Sequence, residues 1–209
     1  MTKIKWISHS CFQIITDDNK IIYTDPYELK TGDSGDILVI SHDHYDHADK
    51  KSIKAVYTSK TKVICPKTCA DGLKSFNPIG LDPNQSTEIN GIKITAVPAY
   101  NPNKHFHPKG NNWLGYIIET GGKRIYHAGD TDVIPEMKQL GKIDVAFLPV
   151  GDNFTMGFSE AVEACGIIKP KICVPMHHWG KDLKQFKKMV NEKVPSVNVE
   201  ILEGKDLTI

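Results

Sequence analysis

The run Asp36-Ile37-Leu38-Val39-Ile40-Ser41 constrains this chain more than any other feature. A strand alternates its side chains between two faces, so an unbroken apolar run requires packing on both sides. Such a strand belongs inside a layered domain. The neighbouring segments agree. Ile4–Ile7, Cys11–Thr16 and Lys20–Thr24 are short and β-rich, with a hairpin turn at Asp17-Asp18-Asn19. Thr61–Cys65, Ile92–Pro98, Leu114–Glu119, Arg124–His127, Ile143–Val150 and Ile172–Met176 read as further strands, and Gly121-Gly122 turns one of them into the next. Helices are expected over Pro66–Phe76, Val133–Leu140, Ser159–Ile168 and Leu183–Val194, followed by a short closing hairpin. Strand-rich halves with helices outside predict an α/β layered domain. With 209 residues and no linker, residues 1–209 are expected to form one domain.

The end of that buried run carries the chemistry. It passes directly into His42-Asp43-His44-Tyr45-Asp46-His47, an H-x-H-x-D-H pattern. Chance would yield about 0.001 occurrences in a chain of this composition, so a loop merely rich in histidine is a poor explanation. Imidazole and carboxylate suit borderline and hard divalent ions, and no thiolate competes for the position. Alternation sends His42 and His44 to one side and turns Asp46 and His47 to the other, so one rigidly held loop can feed two metals. Asp130, in a glycine-containing turn after Arg124–His127, and His177, ending Ile172–Met176, are further candidates at strand ends.

These segments resemble the metallo-β-lactamase superfamily. The resemblance covers nearly the whole chain and implies a four-layer αββα sandwich. Trp6-Ile7-Ser8-His9-Ser10, Thr24-Asp25-Pro26, Ala128-Gly129-Asp130-Thr131-Asp132 and Val174-Pro175-Met176-His177-His178 resemble motifs of a subgroup. That subgroup includes L-ascorbate-6-phosphate lactonase and N-acyl phosphatidylethanolamine phospholipase D. The resemblance implies a first metal on His42 and His44, a second on Asp46, His47 and His177, and Asp130 bridging both. His178 is expected to point elsewhere as a pocket-wall group, the exchange of roles with His177 being the alternative. Asp25 is expected to accept a hydrogen bond from a ligand imidazole. His9 is expected to line the cleft or to be a structural histidine, and His127 to pack beneath the site.

One position departs from the family pattern. The third imidazole of the first metal normally follows the strand at Ile92–Pro98, and here that place reads Pro98-Ala99-Tyr100-Asn101. A neutral amide oxygen is a weak donor to zinc. His107, held by Pro108, is the favoured replacement; His105 and Asn101 or water are the alternatives.

Two divalent ions, zinc first with manganese or iron as alternatives, would share a hydroxide and polarise a carbonyl or phosphoryl oxygen. The expected function is therefore hydrolysis of an ester, lactone or phosphoester of a small molecule, with Asp46 or Asp130 relaying a proton. No serine nucleophile elbow and no phosphate-binding P-loop is present to support another route. Lys104 and Lys109 suggest an anionic substrate, unless their loop is simply solvated. The Gly151–Gly157 loop is placed to border the cleft, and Trp179 to wall it. A nuclease, a di-iron redox module and a metal-stabilised scaffold are the competing classes. With 26 Lys+Arg against 25 Asp+Glu the net charge is +1, which offers nucleic acid little attraction. Five scattered cysteines and the absence of a signal-peptide pattern or an apolar span point to the cytoplasm, without a membrane span. Cys65 and Cys69 lack the second pair of a structural zinc site.

Overall fold

The computed structural model describes residues 1–209. The first sheet is built from β1 (Lys3–Ser8), β2 (Cys11–Ile15), β3 (Ile21–Thr24), β4 (Ile37–Val39), β5 (Lys62–Pro66) and β6 (Ile79–Leu81). The second holds β7 (Ser86–Ile89), β8 (Ile92–Pro98), β9 (Leu114–Thr120), β10 (Lys123–His127), β11 (Val145–Pro149), β12 (Ile172–Met176) and β13 (Asn198–Val199). The last strand, β14 (Asp206–Thr208), returns to the first sheet beside β1. The strand orders are β14-β1-β2-β3-β4-β5-β6 and β13-β12-β11-β10-β9-β8-β7.

The β4 run is buried on both faces, as its composition requires. Ile37 and Val39 enter the core between the sheets, where Phe12 stacks on Phe147 at 4.0 Å. Leu38 and Ile40 point the other way, into a second core with Ile53 and Val56 of α1 (Lys50–Val56) and with Leu73 and Phe76. On the far side, α2 (Phe158–Ile168) and α3 (Leu183–Lys193) cover the second sheet through Ala161, Val162, Cys165, Phe186 and Val190. Helix, sheet, sheet, helix: this is the αββα sandwich.

Several local expectations change. Residues 66–76 form two 3-10 turns, Lys67–Cys69 and Asp71–Phe76, rather than one α-helix. Thr68, Asp71, Gly72 and Ser75 are poor helix-interior residues, so short 3-10 turns replace a continuous helix. The helix expected over 133–140 is likewise a 3-10 segment, Pro135–Gln139. The closing hairpin does not form. β13 pairs parallel with β12 and β14 antiparallel with β1, so the chain crosses between the sheets, burying Leu202 on the way. All five cysteines are buried and unpaired, and none joins a group of candidate metal ligands. No helix is long and apolar enough to cross a membrane.

Strand direction positions the site. β1, β3 and β4 run the same way in the first sheet, and β8, β10, β11 and β12 do so in the second. The loops leaving their carboxyl ends meet at one edge of the sandwich.

Candidate metal centre

Asp25 organises the motif loop. It follows β3 with φ of 37°, is fully buried, and accepts hydrogen bonds from the Ser41 amide and hydroxyl, each at 2.7 Å. His47 Nδ1 donates to the same carboxylate at 2.8 Å, which leaves His47 Nε2 free and facing Asp130 Oδ1 at 3.4 Å. Because the single Ser41 hydroxyl proton goes to Asp25, Ser41 Oγ accepts from His42 Nδ1 at 2.9 Å. His42 therefore presents an unprotonated Nε2, 3.0 Å from His44 Nδ1. One carboxylate and one hydroxyl orient two imidazoles. Ser41, marked in the sequence only by its place at the strand end, is the residue that links them.

The second sheet supplies the rest. Gly129, at φ of 62°, lets the turn after β10 pass so close to Leu114 that a Cβ would meet that carbonyl at 2.8 Å, and this turn carries Asp130 inward. Asp130 Oδ2 lies 3.1 Å from His177 Nε2 and 3.3 Å from His107 Nε2. His177 follows β12 in the left-handed region, at φ of 52°. A Cβ on Gly151 would lie 2.5 Å from the His177 carbonyl oxygen, so only glycine fits there.

His107 is buried, and its Nδ1 donates to Asn101 Oδ1 at 2.7 Å, whereas His105 is exposed. The atoms of His42, His44 and His107 that can bind a metal all lie within 4.8 Å of one another, as do those of His9, Asp46, His47 and His177, and those of His42, His47 and Asp130. His9 packs its ring on His177 at 3.9 Å and places Nε2 3.2 Å from Asp46 Oδ2. His178 faces away, toward Glu203 and Trp6. His127 lies fully buried beneath the site.

The buried polar atoms without a hydrogen-bond partner include Nε2 of His9, His47 and His107, Nδ1 of His177 and Oδ1 of Asp130. Leaving one such atom unsatisfied costs ~1–3 kcal/mol, and native folds keep few of them. Four of them, the Nε2 atoms of His9, His47 and His107 and Oδ1 of Asp130, face the region that His177 Nε2 also enters, whereas His177 Nδ1 lies beside Gly151; those four fit a site for cations held by nitrogen and oxygen donors. The electrostatics agree. Burial drives the His42, His44 and His9 rings below their ordinary pKa, toward the neutral form that binds metal. Burial alone would raise Asp130, but the neighbouring His47 and His177 outweigh it and hold the carboxyl well below its usual range. His47 is opposite: despite burial, Asp130 and Asp25 hold it well above an ordinary histidine.

The lysines have other work. Lys104 Nζ donates to Asp132 Oδ1 at 2.8 Å and to the Thr155 carbonyl at 2.6 Å, and Lys109 pairs with Glu136 at 3.0 Å. Both ammonium groups are engaged in holding loops, which removes the basis for reading them as an anion site. The amide of Gly157, at the start of α2, is likewise taken by the Glu160 carboxylate at 2.8 Å. Tyr45, Phe106, Phe154 and Trp179 surround a cleft of about 380 Å³ over His44, Asp46, Asp130 and His177. Tyr45 and Phe154 were not singled out by the sequence; the only signal was that each lies in a loop expected to border the site.

Residues 3–177 match the beta-lactamase superfamily domain. Relatives described as UPF0173 metal-dependent hydrolases include one from Nanoarchaeum equitans, 38% identical over 206 residues, covering 91% of this chain and 93% of that one. Another, from Thermococcus onnurineus, is 34% identical over 229 residues and covers 97% and 100% of the two chains. Among solved structures, a Parabacteroides distasonis protein is 36% identical with a TM-score of 0.88, covering 96% of this chain and 92% of that one. The metallo hydrolase Igni18 from Ignicoccus hospitalis is 27% identical, has a TM-score of 0.83 and covers 100% and 99%. A sandwich whose strand ends gather imidazoles and carboxylates, and relatives that match it from end to end, lead to one assignment: the chain belongs to the metallo-β-lactamase superfamily and, within it, to the UPF0173 metal-dependent hydrolases.

Proposed function

We propose that residues 1–209 work as one unit, a dinuclear hydrolase acting on an ester, lactone or phosphoester of a small molecule in the cytoplasm. His42, His44 and His107 would hold one divalent ion, and Asp46, His47 and His177 the other. Asp130 would serve both. Zinc suits the nitrogen-rich set, with manganese or iron as alternatives. The observation that carries this reading is the convergence of unpartnered buried donors from both sheets around Asp130. When bound, such ions supply Lewis acidity, lowering the pKa of water toward ~7 and polarising the bond to be cut.

The chain's own residues do the positioning. Asp25 and Ser41 orient His47 and His42 to present Nε2, and Asn101 does the same for His107. Asp130 has both oxygens within 3.4 Å of imidazole nitrogens. Both carboxylates line the cleft, but Asp46 faces one imidazole, His9, against three for Asp130, which makes Asp46 the better placed to pass a proton to the departing group. The resemblance to L-ascorbate-6-phosphate lactonase and N-acyl phosphatidylethanolamine phospholipase D supports lactone, ester and phosphodiester chemistry as the classes to try.

The test is metal analysis of protein purified without chelator, with a panel of lactone, ester and phosphodiester substrates. About two equivalents of metal and chelator-sensitive turnover of one class are expected. Full retention of both metals in Asp130→Ala would overturn the bridging role, and no hydrolysis across the panel by fully loaded protein would overturn the substrate classes.

A further inference from the structure

Apart from Met1, the large hydrophobic side chains left exposed are four aromatics: Tyr45 at 71%, Phe106 at 46%, Phe154 at 38% and Trp179 at 55%. All four line the cleft over the candidate metal centre. They come from different loops, those after β4, β8, β11 and β12. Phe106 and Phe154 meet edge to face at 4.5 Å, and the Trp179 ring packs 5.0 Å from His9 and 5.6 Å from His177. A second lobe of about 330 Å³ shares Phe154 and Trp179 and extends past Gly151, Asn153 and Lys181. Exposed apolar surface gathered at one concave place marks a binding site, because elsewhere the fold buries such groups.

Charge narrows the occupant. No lysine or arginine lines the first lobe. Lys181, in the second, is bonded to Asp152 Oδ2 at 3.0 Å, and Lys104 and Lys109 are engaged as described. Beyond the ions themselves, the cleft offers a phosphate dianion no unpaired lysine or arginine, whereas its walls suit a flat or aliphatic apolar body.

We infer that the cleft selects an uncharged carboxylic ester or lactone with an apolar acyl part, seated among Phe106, Phe154, Trp179 and Tyr45 with its carbonyl over His44 and Asp130. This rests on the hydrolase reading above and names its substrate class. In the reaction, a water oxygen bonds to the acyl carbon and the C–O bond to the alcohol breaks. One water proton passes to the alkoxide and the other is released, giving carboxylate, alcohol and H⁺.

The experiment uses metal-loaded protein and three matched probes: ethyl 2-naphthylacetate, ethyl acetate, and the phosphate monoester of 2-(2-naphthyl)ethanol. A fourth, the ketone 1-(2-naphthyl)propan-2-one, has no bond to hydrolyse, and its binding is followed by equilibrium dialysis. The naphthyl ester should exceed ethyl acetate in kcat/KM by about tenfold or more, and also exceed the phosphate. The Phe106→Ala/Phe154→Ala variant should weaken ketone binding and shrink the ester preference, each about tenfold; Phe154→Ala alone should do part of this. Equal kcat/KM for the two esters, preference for the phosphate, or unchanged ketone affinity in the double variant overturns the inference. Ketone binding that the double variant loses, with neither ester hydrolysed, overturns the ester chemistry proposed above and leaves apolar recognition by the cleft standing.

Discussion

Asn101 stands where the family pattern places an imidazole, and its amide oxygen holds His107 Nδ1 at 2.7 Å. The contact aims His107 Nε2 at Asp130, so the residue after β8 works through a ring six positions later. If His107 is the third donor of the first ion, His107→Ala should weaken that ion by at least ~10–100-fold, the range seen even for residues that only orient a ligand. Asn101→Ala should cost about tenfold, and Asn101→His should gain nothing. Chelator competition on the three variants measures this, and unchanged affinity in His107→Ala would end the assignment. Asp25→Asn should weaken the other ion by a similar ~10–100-fold, because it loses the carboxylate that fixes His47. At this scale legibility followed contiguity. His42, His44, Asp46 and His47 share one short loop, so their spacing alone displays the pattern. His107 and His9 reach the same place from separate loops, where spacing carries no information, and Ser41 acts through a hydrogen bond that no motif encodes.

The long apolar or alternating strands were legible as elements, because burial on one face or two leaves a period in the sequence. β7 was not, since only Thr87 and Ile89 of Ser86–Ile89 are even partly covered. Nor was α1, a seven-residue helix set by the Asp49 cap accepting from the Lys51 and Ser52 amides. β14 is assigned by tertiary pairing with β1 rather than by its own residues. The end of β10 carries a prediction. His127 Nε2 donates to the Ser10 carbonyl at 3.1 Å across the two sheets, and its Nδ1 accepts from the Gly129 amide at 3.2 Å, so the neutral ring makes both bonds and protonation of Nδ1 would set two N–H groups against each other beside Gly129. Burial lowers its pKa. The folded state therefore binds fewer protons than the unfolded chain, and this group's contribution is complete at neutral pH and shrinks as pH falls below ~6.5. Urea melts between pH 7 and 5 should show wild type losing stability more steeply than His127→Gln, by up to ~1.4 kcal/mol per pH unit for one proton. Parallel slopes would remove His127 from the acid response.

Across the whole molecule, the strands that run toward the site edge carry nearly every residue discussed: His9 after β1, Asp25 after β3, the motif loop after β4, His107 after β8, Asp130 after β10 and His177 after β12. Donors from both sheets thus converge on one place, and an ion held there ties the two halves of the sandwich together. That coupling predicts a global effect of metal removal. A ligand bound only by the folded state stabilises it by ~2.7 kcal/mol at a free concentration of 100 times Kd. Two ions would together contribute roughly twice that. In a chain of this size each kcal/mol moves Tm by ~2–4 °C, so stripping both ions should lower Tm by roughly 10–20 °C in a single cooperative step. Returning zinc should restore it in proportion to occupancy. Asp130→Ala should melt near the stripped value, because it lacks the carboxylate that faces both ligand groups, and zinc should recover only part of the loss. Equal melting temperatures for loaded and stripped protein would show that the ions do not couple the sheets, and a metal-dependent step confined to a minor early transition would place their effect in the loops alone.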